Sequence, residues 1–238
     1  MESHFLHAAW NNLIMANYVV PPELLAPYLP YKTELDFFKD ETYVSLVGFM
    51  FLNTKIKGYS IPYHVNFEEV NLRFYVKHND NGNWQRGVTF IKEIVPRPAI
   101  TLIANSLYSE KYVTAKMKHA HNEISSGLET EYEWRHGNKW NRLATLSEKK
   151  SVPICQGSEE EFIAEHYWGF TKVKANRTSA YEVNHERWEI FPVLNYKIDC
   201  DFTNLYGEEF SFLNTAEPSS VFMAKGSEVK IFHKRNLN

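Results

Sequence analysis

A pair of alternating stretches separated by a polar turn constrains the fold of this chain more than any other feature. In residues 70–95, VNLRFYVKHNDNGNWQRGVTFIKEIV, four apolar side chains share one face: Val70, Leu72, Phe74 and Val76. Alternation with a period of two is typical of a β-strand with one buried face. The NDNGN segment supplies residues that favour tight turns. The stretch therefore predicts an antiparallel hairpin.

Other stretches predict more antiparallel sheet and a few short helices. ELDFF and TYVSLVGFMFL read as two strands around a KDE turn, and two further hairpins are predicted in residues 128–148 and 220–233. Helices are predicted in PPELLAPYLP, in DFTNLYG and after Ser158, where a capping box with Glu161 begins a helix that Gly169 would end. Because no long helices separate the strands, we predict one α+β domain over residues 1–238, dominated by antiparallel sheet.

Aromatic residues are abundant, with 16 Phe, 14 Tyr and 6 Trp. Large flat side chains pack well on a pleated surface, so this usage favours a β-rich core. A site for a carbohydrate or another flat ligand is the alternative explanation. The structural explanation needs no further assumption, and we adopt it.

Charge and hydropathy exclude several classes of partner. The 26 basic and 29 acidic residues nearly balance and form no basic cluster, so we expect no nucleic-acid partner. No window approaches 18 apolar residues and the first 20 residues lack a positive leader, so we expect neither a membrane span nor secretion. Cys155 and Cys200 have no metal or redox spacing and suit a reducing cytoplasm, although a disulfide between them is an open alternative.

Residues 96–112, PRPAITLIANSLYSEKY, predict a helix from Pro98 to Lys111. Proline suits a first helical turn, and apolar residues follow at helical spacing: Ile100, Ile103, Ala104 and Leu107. Lys111 is the next position on that face. If its amine is buried, desolvation lowers its pKa and makes it a nucleophile that can form a Schiff base with a carbonyl. The alternative is an ordinary lysine at a helix C-terminus, with its stem reaching out to solvent.

The strand NFEEVNLRFYV places Glu69, Asn71 and Arg73 on the face opposite its apolar residues. One interpretation is a solvent-facing strand with a Glu–Arg pair that contributes little. The other is a polar-lined cavity in which Glu69 and Arg73 handle a charged or ionisable ligand. The pattern leaves both open.

Metal and cofactor motifs are absent from the sequence. His119, His121 and Glu123 would share one face of a strand, but two histidines without a confident third ligand are usually a solvated strand end. There is no H-E-x-x-H, no phosphate-binding glycine loop and no G-x-S-x-G. We therefore expect no metal and no cofactor.

Three segments resemble a known family: VPPELLAPYLPYKTELDFFKDETYVSLVGFMF, IPYHVNFEEVNLRFYV and RGVTFIKEIVPRPAITLIANSLY. They are similar to the YqjF-like family, an uncharacterised domain of unknown function that is grouped with acetoacetate decarboxylase by its fold. The resemblance covers most of the chain and is densest over residues 10–120. It implies an acetoacetate-decarboxylase-like cone or barrel with a few packed helices.

The decarboxylase resemblance also implies site residues. That enzyme forms a Schiff base between a β-keto acid and a lysine whose amine is activated by desolvation or by a neighbouring cation. An ungapped count from the shared Pro-Ala-Ile stretch reaches Lys111, and a second count reaches Glu69 as a pocket carboxylate. The chain departs from the enzyme at several positions: Asn11 stands for an arginine, residues 43–46 lack a carboxylate, Glu110 replaces a proline, and Tyr112 replaces a second lysine.

These observations lead to two main hypotheses. In the first, a cavity takes a small oxo or carboxylate compound, with Lys111 as nucleophile or charge partner, Glu69 as proton handler, and three ligand contacts: Arg73, His64 and Tyr112. In the second, a non-catalytic binding protein keeps the cavity without the chemistry. A third alternative is a merely structural pair of Lys111 and Glu69 near a vestigial cavity. The partner in the first two is a small molecule, and a homo-oligomer stays open.

Overall fold

The structure is a computed structural model in which residues 4–238 are described. The first half of the chain contains β1 (His4–Val20), α1 (Pro22–Leu25), β2 (Glu34–Leu35), β3 (Thr42–Ile56), β4 (Phe67–Asp80), β5 (Asn83–Val95), α2 (Pro98–Tyr108), β6 (Tyr112–Thr114) and β7 (Met117–Ile124). The second half contains β8 (Gly127–His136), β9 (Lys139–Ser147), β10 (Val152–Pro153), α3 (Glu159–Ala164), β11 (Trp168–Lys174), β12 (Arg177–His185), β13 (Glu189–Phe191), β14 (Val193–Asp199), α4 (Phe202–Tyr206), β15 (Ser220–Phe232) and β16 (Arg235–Leu237). Two 3₁₀ segments, Ala26–Tyr28 and Glu208–Asn214, follow α1 and α4.

Seven strands close into a barrel in the order β15, β1, β3, β4, β5, β11 and β12, with β12 pairing back to β15. All of these pairings are antiparallel except the one between β5 and β11. Closure removes the exposed strand edges that an open sheet would present. The mostly antiparallel α+β architecture predicted from the sequence is confirmed.

A second, four-stranded sheet in the order β14, β9, β8 and β7 packs on the outside of the barrel. Its Tyr132, Trp134 and Leu143 join the outward-facing Val70 and Leu72 of β4 in one buried cluster. The alternate residues of the barrel strands form a second cluster inside, and α3 contributes Phe162 and Ile163 to it. Because the apolar face of β4 is covered by the outer sheet, its polar face points into the barrel.

The hairpin predicted in residues 70–95 is confirmed as β4 and β5, which pair from Val70 with Ile94 to Asp80 with Asn83. Asn81 and Gly82 form its turn with φ of 54° and 93°, as expected for a tight hairpin. The hairpin in residues 128–148 is confirmed as β8 and β9.

The hairpin predicted in residues 220–233 is wrong. KGSE is not a turn but the middle of one strand, β15, which pairs with β1 on both sides of Gly226. Gly226 has a φ of 84°, and a Cβ there would lie 2.0 Å from the carbonyl oxygen of Trp10. The glycine therefore permits a close approach of two barrel strands, although the composition around it is typical of a turn.

Two of the predicted helices differ in length from expectation. Ser158 caps α3 by accepting from the backbone N–H of Glu161 at 3.2 Å, as predicted, but the helix ends at Ala164 and Gly169 lies inside β11. The helix predicted to reach Lys111 ends at Tyr108. Ser109 follows with a φ of 62°, and Asn105 holds the backbone of Tyr112 through hydrogen bonds of 2.8 and 2.9 Å. The chain therefore leaves the helix early and continues as β6.

Within residues 4–238, no helix combines the length and the hydropathy needed to cross a membrane. Cys155 is exposed, Cys200 is buried, and both are free thiols.

Candidate functional site

Two adjoining cavities lie within and beside the barrel. The polar cavity encloses about 640 Å³ of empty space, part of it open, and its polar lining includes Glu69, Asn71, Arg73, Glu93, His166 and Tyr181. The apolar cavity lies beneath α2 and comprises about 580 Å³, part of it open to solvent, with Glu110 as the one charged residue among those that line it.

Three buried glutamates converge at the boundary of the two cavities. Glu69 on β4 and Glu93 on the neighbouring β5 are 2% and 1% exposed, and Glu110 is 9% exposed. The pairing of Asn71 with Glu93, and of Glu93 with Tyr112, brings these strands side by side. After α2 ends, the extended backbone alternates, so Glu110 and Tyr112 turn toward the cavities.

Glu69 is held by two hydrogen bonds. Its Oε1 accepts from Asn71 Nδ2 at 2.9 Å, and its Oε2 accepts from the phenol of Tyr112 at 2.8 Å. Burial raises the pKa of Glu69 to about 7, and Asn71 and Tyr112 partly oppose this shift by stabilising the carboxylate. A carboxyl group with a pKa near neutrality can both donate and accept a proton under physiological conditions.

The pKa values of Glu93 and Glu110 are raised as well. Burial raises the pKa of Glu93 well above its usual range, and the nearby charges of Glu110 and Glu69 raise it further. Burial also raises the pKa of Glu110, which accepts from the hydroxyl of Thr171 at 2.7 Å.

Arg73 is buried on the same face of β4 as Glu69, and its hydrogen-bond partners are weak. It is 8% exposed, its Nη2 lies 3.4 Å from the Ile163 carbonyl oxygen and 3.9 Å from Met15 Sδ, and its Nε has no hydrogen-bond partner. A buried guanidinium normally satisfies its donors with a carboxylate or several carbonyls. Arg73 therefore keeps unused donors at the cavity wall.

His166 brings a further acid–base group to the polar cavity. Its side chain is 1% exposed, and its Nε2 donates to Asp36 Oδ2 at 3.1 Å, while Asp36 also accepts from Arg86 Nε at 2.6 Å. Burial lowers the pKa of His166 to about 4, against the opposing effect of Asp36. The imidazole is therefore neutral at pH 7, and its Nδ1 is a buried acceptor without a partner.

Five buried polar atoms without partners belong to residues that line the polar cavity: Trp10 Nε1, Asn71 Oδ1, Arg73 Nε, Glu93 Oε2 and His166 Nδ1. Buried polar atoms are rarely left unsatisfied, because each costs about 1–3 kcal/mol. Water or the polar groups of a ligand inside the cavity can satisfy these five atoms.

Lys111 lies outside both of these cavities. It follows the end of α2 and points away from its neighbours Glu110 and Tyr112, with its Nζ 5.3 Å from the centre of the Tyr28 ring. Burial lowers the pKa of its amine, and the nearby Glu110 opposes this. Lys111 does not lie on the predicted helical face, because α2 has already ended at Tyr108.

The other residues singled out in the sequence divide between the cavity and the surface. Glu69, Arg73 and Tyr112 meet in the polar cavity. His64 lies in the connection between β3 and β4, where its Nδ1 is 2.8 Å from the carbonyl oxygen of Pro62, and it is not among the residues that line either cavity. His119 is 2.7 Å from Glu68, and His121 is 2.8 Å from Thr130.

Sequence reasoning missed Glu93, Glu110 and His166 as site residues. Glu93 follows Lys92 on β5, just after a shift in register against β4 that interrupts the alternation, so the pattern does not assign its face. Nothing local marks Glu110 or His166, which reach the cavities only through the end of α2 and the turn after α3.

The closed barrel with its outer sheet has the fold of acetoacetate-decarboxylase-like enzymes. An enduracididine biosynthesis enzyme, MppR, complexed with pyruvate superposes with a TM-score of 0.69 and 12% identity, covering 100% of this chain and 92% of that one. An acetoacetate decarboxylase-like enzyme from Sphingomonas wittichii RW1 gives a TM-score of 0.68 and 9% identity, covering 100% and 94%. Acetoacetate decarboxylase from Legionella pneumophila gives 0.65 and 11%, covering 100% and 90%. At these identities the likeness establishes the fold alone.

The chain belongs to the DUF2071 family, described as an uncharacterized conserved protein, which matches residues 7–228. A curated relative is the uncharacterized protein YqjF of Bacillus subtilis (strain 168), 26% identical over 114 residues, which are 48% of this chain and 46% of that protein. The match therefore spans about half the length of this relative. The YqjF-like family resemblance and the acetoacetate-decarboxylase-like fold expected from the sequence are confirmed.

Proposed function

We propose that the polar cavity binds a small oxo acid or a related carboxylate compound. Arg73 would pair with the ligand's carboxylate, and Glu69 with Tyr112 would handle a proton at its oxo group. The observation that carries this proposal is the set of five unpartnered polar atoms around one cavity, among them the Nε of a buried guanidinium.

The charge of the site supports an anionic ligand. Arg73 is the one permanently positive side chain among the residues that line the polar cavity, whereas the carboxyl groups of Glu69 and Glu93 have raised pKa values. Protonated carboxyl groups do not repel an anion and can donate hydrogen bonds to it. A guanidinium and a carboxylate match in geometry and gain most where water is excluded.

The proton chemistry of the site supports an oxo group next to that carboxylate. A carboxyl group with a pKa of about 7 suits proton transfer near neutral pH, and here it is hydrogen-bonded to a phenol. MppR, which shares the fold, has been crystallised with pyruvate, an oxo acid of the proposed size.

Arg73→Met is expected to weaken pyruvate binding at least about 30-fold, because removing one partner of a buried charge pair typically costs 2–5 kcal/mol. The measurement is isothermal titration calorimetry of the purified protein with pyruvate and acetoacetate. Arg135→Met is the control, since Arg135 is exposed on the outer sheet, and it should bind as the wild type does. Equal affinity in Arg73→Met and wild type would contradict the proposed role of Arg73, and no binding of either acid by the wild type would contradict the proposed ligand class.

Schiff-base chemistry through Lys111 is a second candidate function. The observation in its favour is that burial lowers the pKa of this amine, which increases the fraction available as a nucleophile. Against it stands the position of the amine over Tyr28, outside the residues that line the two cavities. Schiff-base formation would therefore require the Lys111 side chain to move from the Tyr28 ring to the oxo group of the ligand.

Borohydride treatment in the presence of small keto acids, followed by mass spectrometry, distinguishes the two candidates. If Lys111 is the nucleophile, a reduced adduct forms in the wild type and in Lys92→Met but not in Lys111→Met. Lys92 is the matched control, because burial lowers the pKa of its amine as well. Since no lysine is among the residues that line either cavity, we expect binding without an adduct.

A further inference from the structure

We propose that the ligand carries a hydrocarbon chain that occupies the apolar cavity, so that this protein prefers a medium-chain oxo acid to a molecule as small as pyruvate. This inference rests on the proposed function, in which the carboxylate and oxo groups lie in the polar cavity. It adds the substrate class and a second subsite.

The lining of the apolar cavity suits a hydrocarbon. Phe67 and the α2 residues Ile100, Ile103 and Ala104 form much of its wall, and they offer no hydrogen-bonding side chain. The polar groups of the lining are already engaged: the Glu110 carboxyl group by Thr171 at 2.7 Å and by the phenol of Tyr181, the Tyr108 hydroxyl by the Phe232 carbonyl oxygen, and the Tyr112 hydroxyl by Glu69. An apolar space of this kind does not hold ordered water well.

The two cavities are neighbours with a common wall. Four residues line both of them: Phe51, Tyr112, Tyr181 and Ile231. Tyr112 has its hydroxyl on Glu69 in the polar cavity, while its side chain also borders the apolar one. A ligand with its oxo group at Glu69 would therefore direct its chain past Tyr112 into the apolar space.

The α2 residues beside this space are only partly covered by protein. Ile103 and Ala104 line the apolar cavity and are half-buried, whereas Ile100 and Tyr108 on the same helix are buried. Because removing apolar surface from water is favourable, a bound hydrocarbon chain would supply the contacts that this part of the helix lacks.

Affinity for a series of straight-chain 2-oxo acids tests the inference directly. Calorimetry with pyruvate, 2-oxobutanoate, 2-oxohexanoate and 2-oxooctanoate is expected to show tighter binding by about fourfold per buried methylene, which is the usual gain for hydrocarbon leaving water. Pyruvate and 2-oxooctanoate differ by five methylenes, so the expected gain across the series is about 1,000-fold if all five are buried.

Ala104→Trp locates the subsite, because the indole would fill the apolar cavity. We expect this variant to lose the gain in affinity with chain length, so that it binds 2-oxooctanoate no more tightly than pyruvate. Leu102→Trp is the matched control: Leu102 is 69% exposed on the same helix and should keep the gain. If Ala104→Trp folds poorly, Ile103→Ala enlarges the same cavity and should shift the preference toward longer chains.

The outcomes separate this inference from the proposed function. Equal affinities across the series, with pyruvate bound, would overturn the hydrocarbon subsite and leave the proposed function intact. A chain-length gain that persists unchanged in a folded Ala104→Trp would overturn the location of the subsite. Failure of the wild type to bind any member would overturn the proposed function, and this inference with it.

Discussion

Gly226→Ala is expected to reduce the free energy of unfolding by at least about 3 kcal/mol, since it combines an unfavourable backbone conformation with a collision between two main chains. Gly226 has a φ of 84°, and a Cβ would lie 2.0 Å from the Trp10 carbonyl oxygen and 2.7 Å from its carbonyl carbon. Neither β1 nor β15 can easily move apart to relieve this collision, because both strands are part of the closed barrel.

Gly82→Ala provides the matched control for this prediction. Gly82 also has a positive φ, of 93°, but nothing lies within 4 Å of the position that its Cβ would take. It should cost only about 1 kcal/mol, the conformational part alone. Urea unfolding of both variants measures the difference, and equal losses would show that the Trp10 contact at Gly226 is relieved by movement of the strands. Because Trp10 lines the polar cavity, Gly226→Ala should also weaken ligand binding.

The same glycine shows where sequence reasoning succeeds and where it fails. Alternation identifies β4, β5, β8 and β9 correctly, because one face of each strand is covered and the pattern repeats every two residues. KGSE in residues 225–228 has turn composition, yet its glycine serves a close approach between strands that are about 200 residues apart in the chain. The need for a glycine at this position comes from the neighbouring strand β1, and the residues next to Gly226 in the sequence do not reveal it.

The predicted extension of the helix to Lys111 is wrong for a similar reason. Helical spacing continues past Tyr108 in the sequence, but the structure ends the helix with Ser109 in a left-handed conformation and with Asn105 bound to the backbone of Tyr112. A shift from helix to extended chain changes which residues face inward. Glu110 and Tyr112 therefore reach the cavities.

The cavity itself could be predicted only in part. The polar face of β4 is recognisable from alternation, which places Glu69 and Arg73 together on one face. Glu93 and His166 join them, and Glu110 reaches the adjoining apolar cavity, only because the barrel closes and brings β5, the end of α2 and the segment after α3 together. The proximity of these residues depends on the order of strands in the barrel, which cannot be read from the alternation of any single strand.

As the pH rises from 4 to 8, the free energy of unfolding of Glu69→Gln is expected to increase by about 3 kcal/mol relative to that of the wild type. The folded protein raises the pKa of Glu69 from 4.5 to about 7, so it binds this proton more tightly than the unfolded chain does. The contribution of Glu69 to the free energy of unfolding is fully present below pH 4.5 and is lost as the pH rises toward 7. The reason is that the carboxyl group ionises over this interval in the unfolded chain, whereas in the folded protein it stays protonated. A shift of this size corresponds to about 3 kcal/mol, and glutamine, which cannot ionise, avoids the loss.

The quantity to measure is the difference in unfolding free energy between Glu69→Gln and the wild type at each pH, obtained from urea titrations. The difference is needed because His166 has the opposite dependence: its pKa is lowered from 6.5 to about 4, so its contribution grows as the pH rises over that interval. Glu129→Gln, at an exposed position on β8, is the control and should follow the wild type at every pH.

A bound ligand would raise the pKa of Glu69 further and so change the pH dependence of the unfolding free energy, which links this measurement to the proposed function. An oxo acid held at Arg73 places a negative charge near Glu69, and a nearby like charge raises the pKa of a carboxyl group further. Saturating pyruvate should therefore extend the pH-dependent difference between Glu69→Gln and the wild type to higher pH. A difference that stays flat from pH 4 to pH 8 without ligand would mean that folding does not raise the pKa of Glu69, as expected if Arg73 already serves as its counterion inside the barrel.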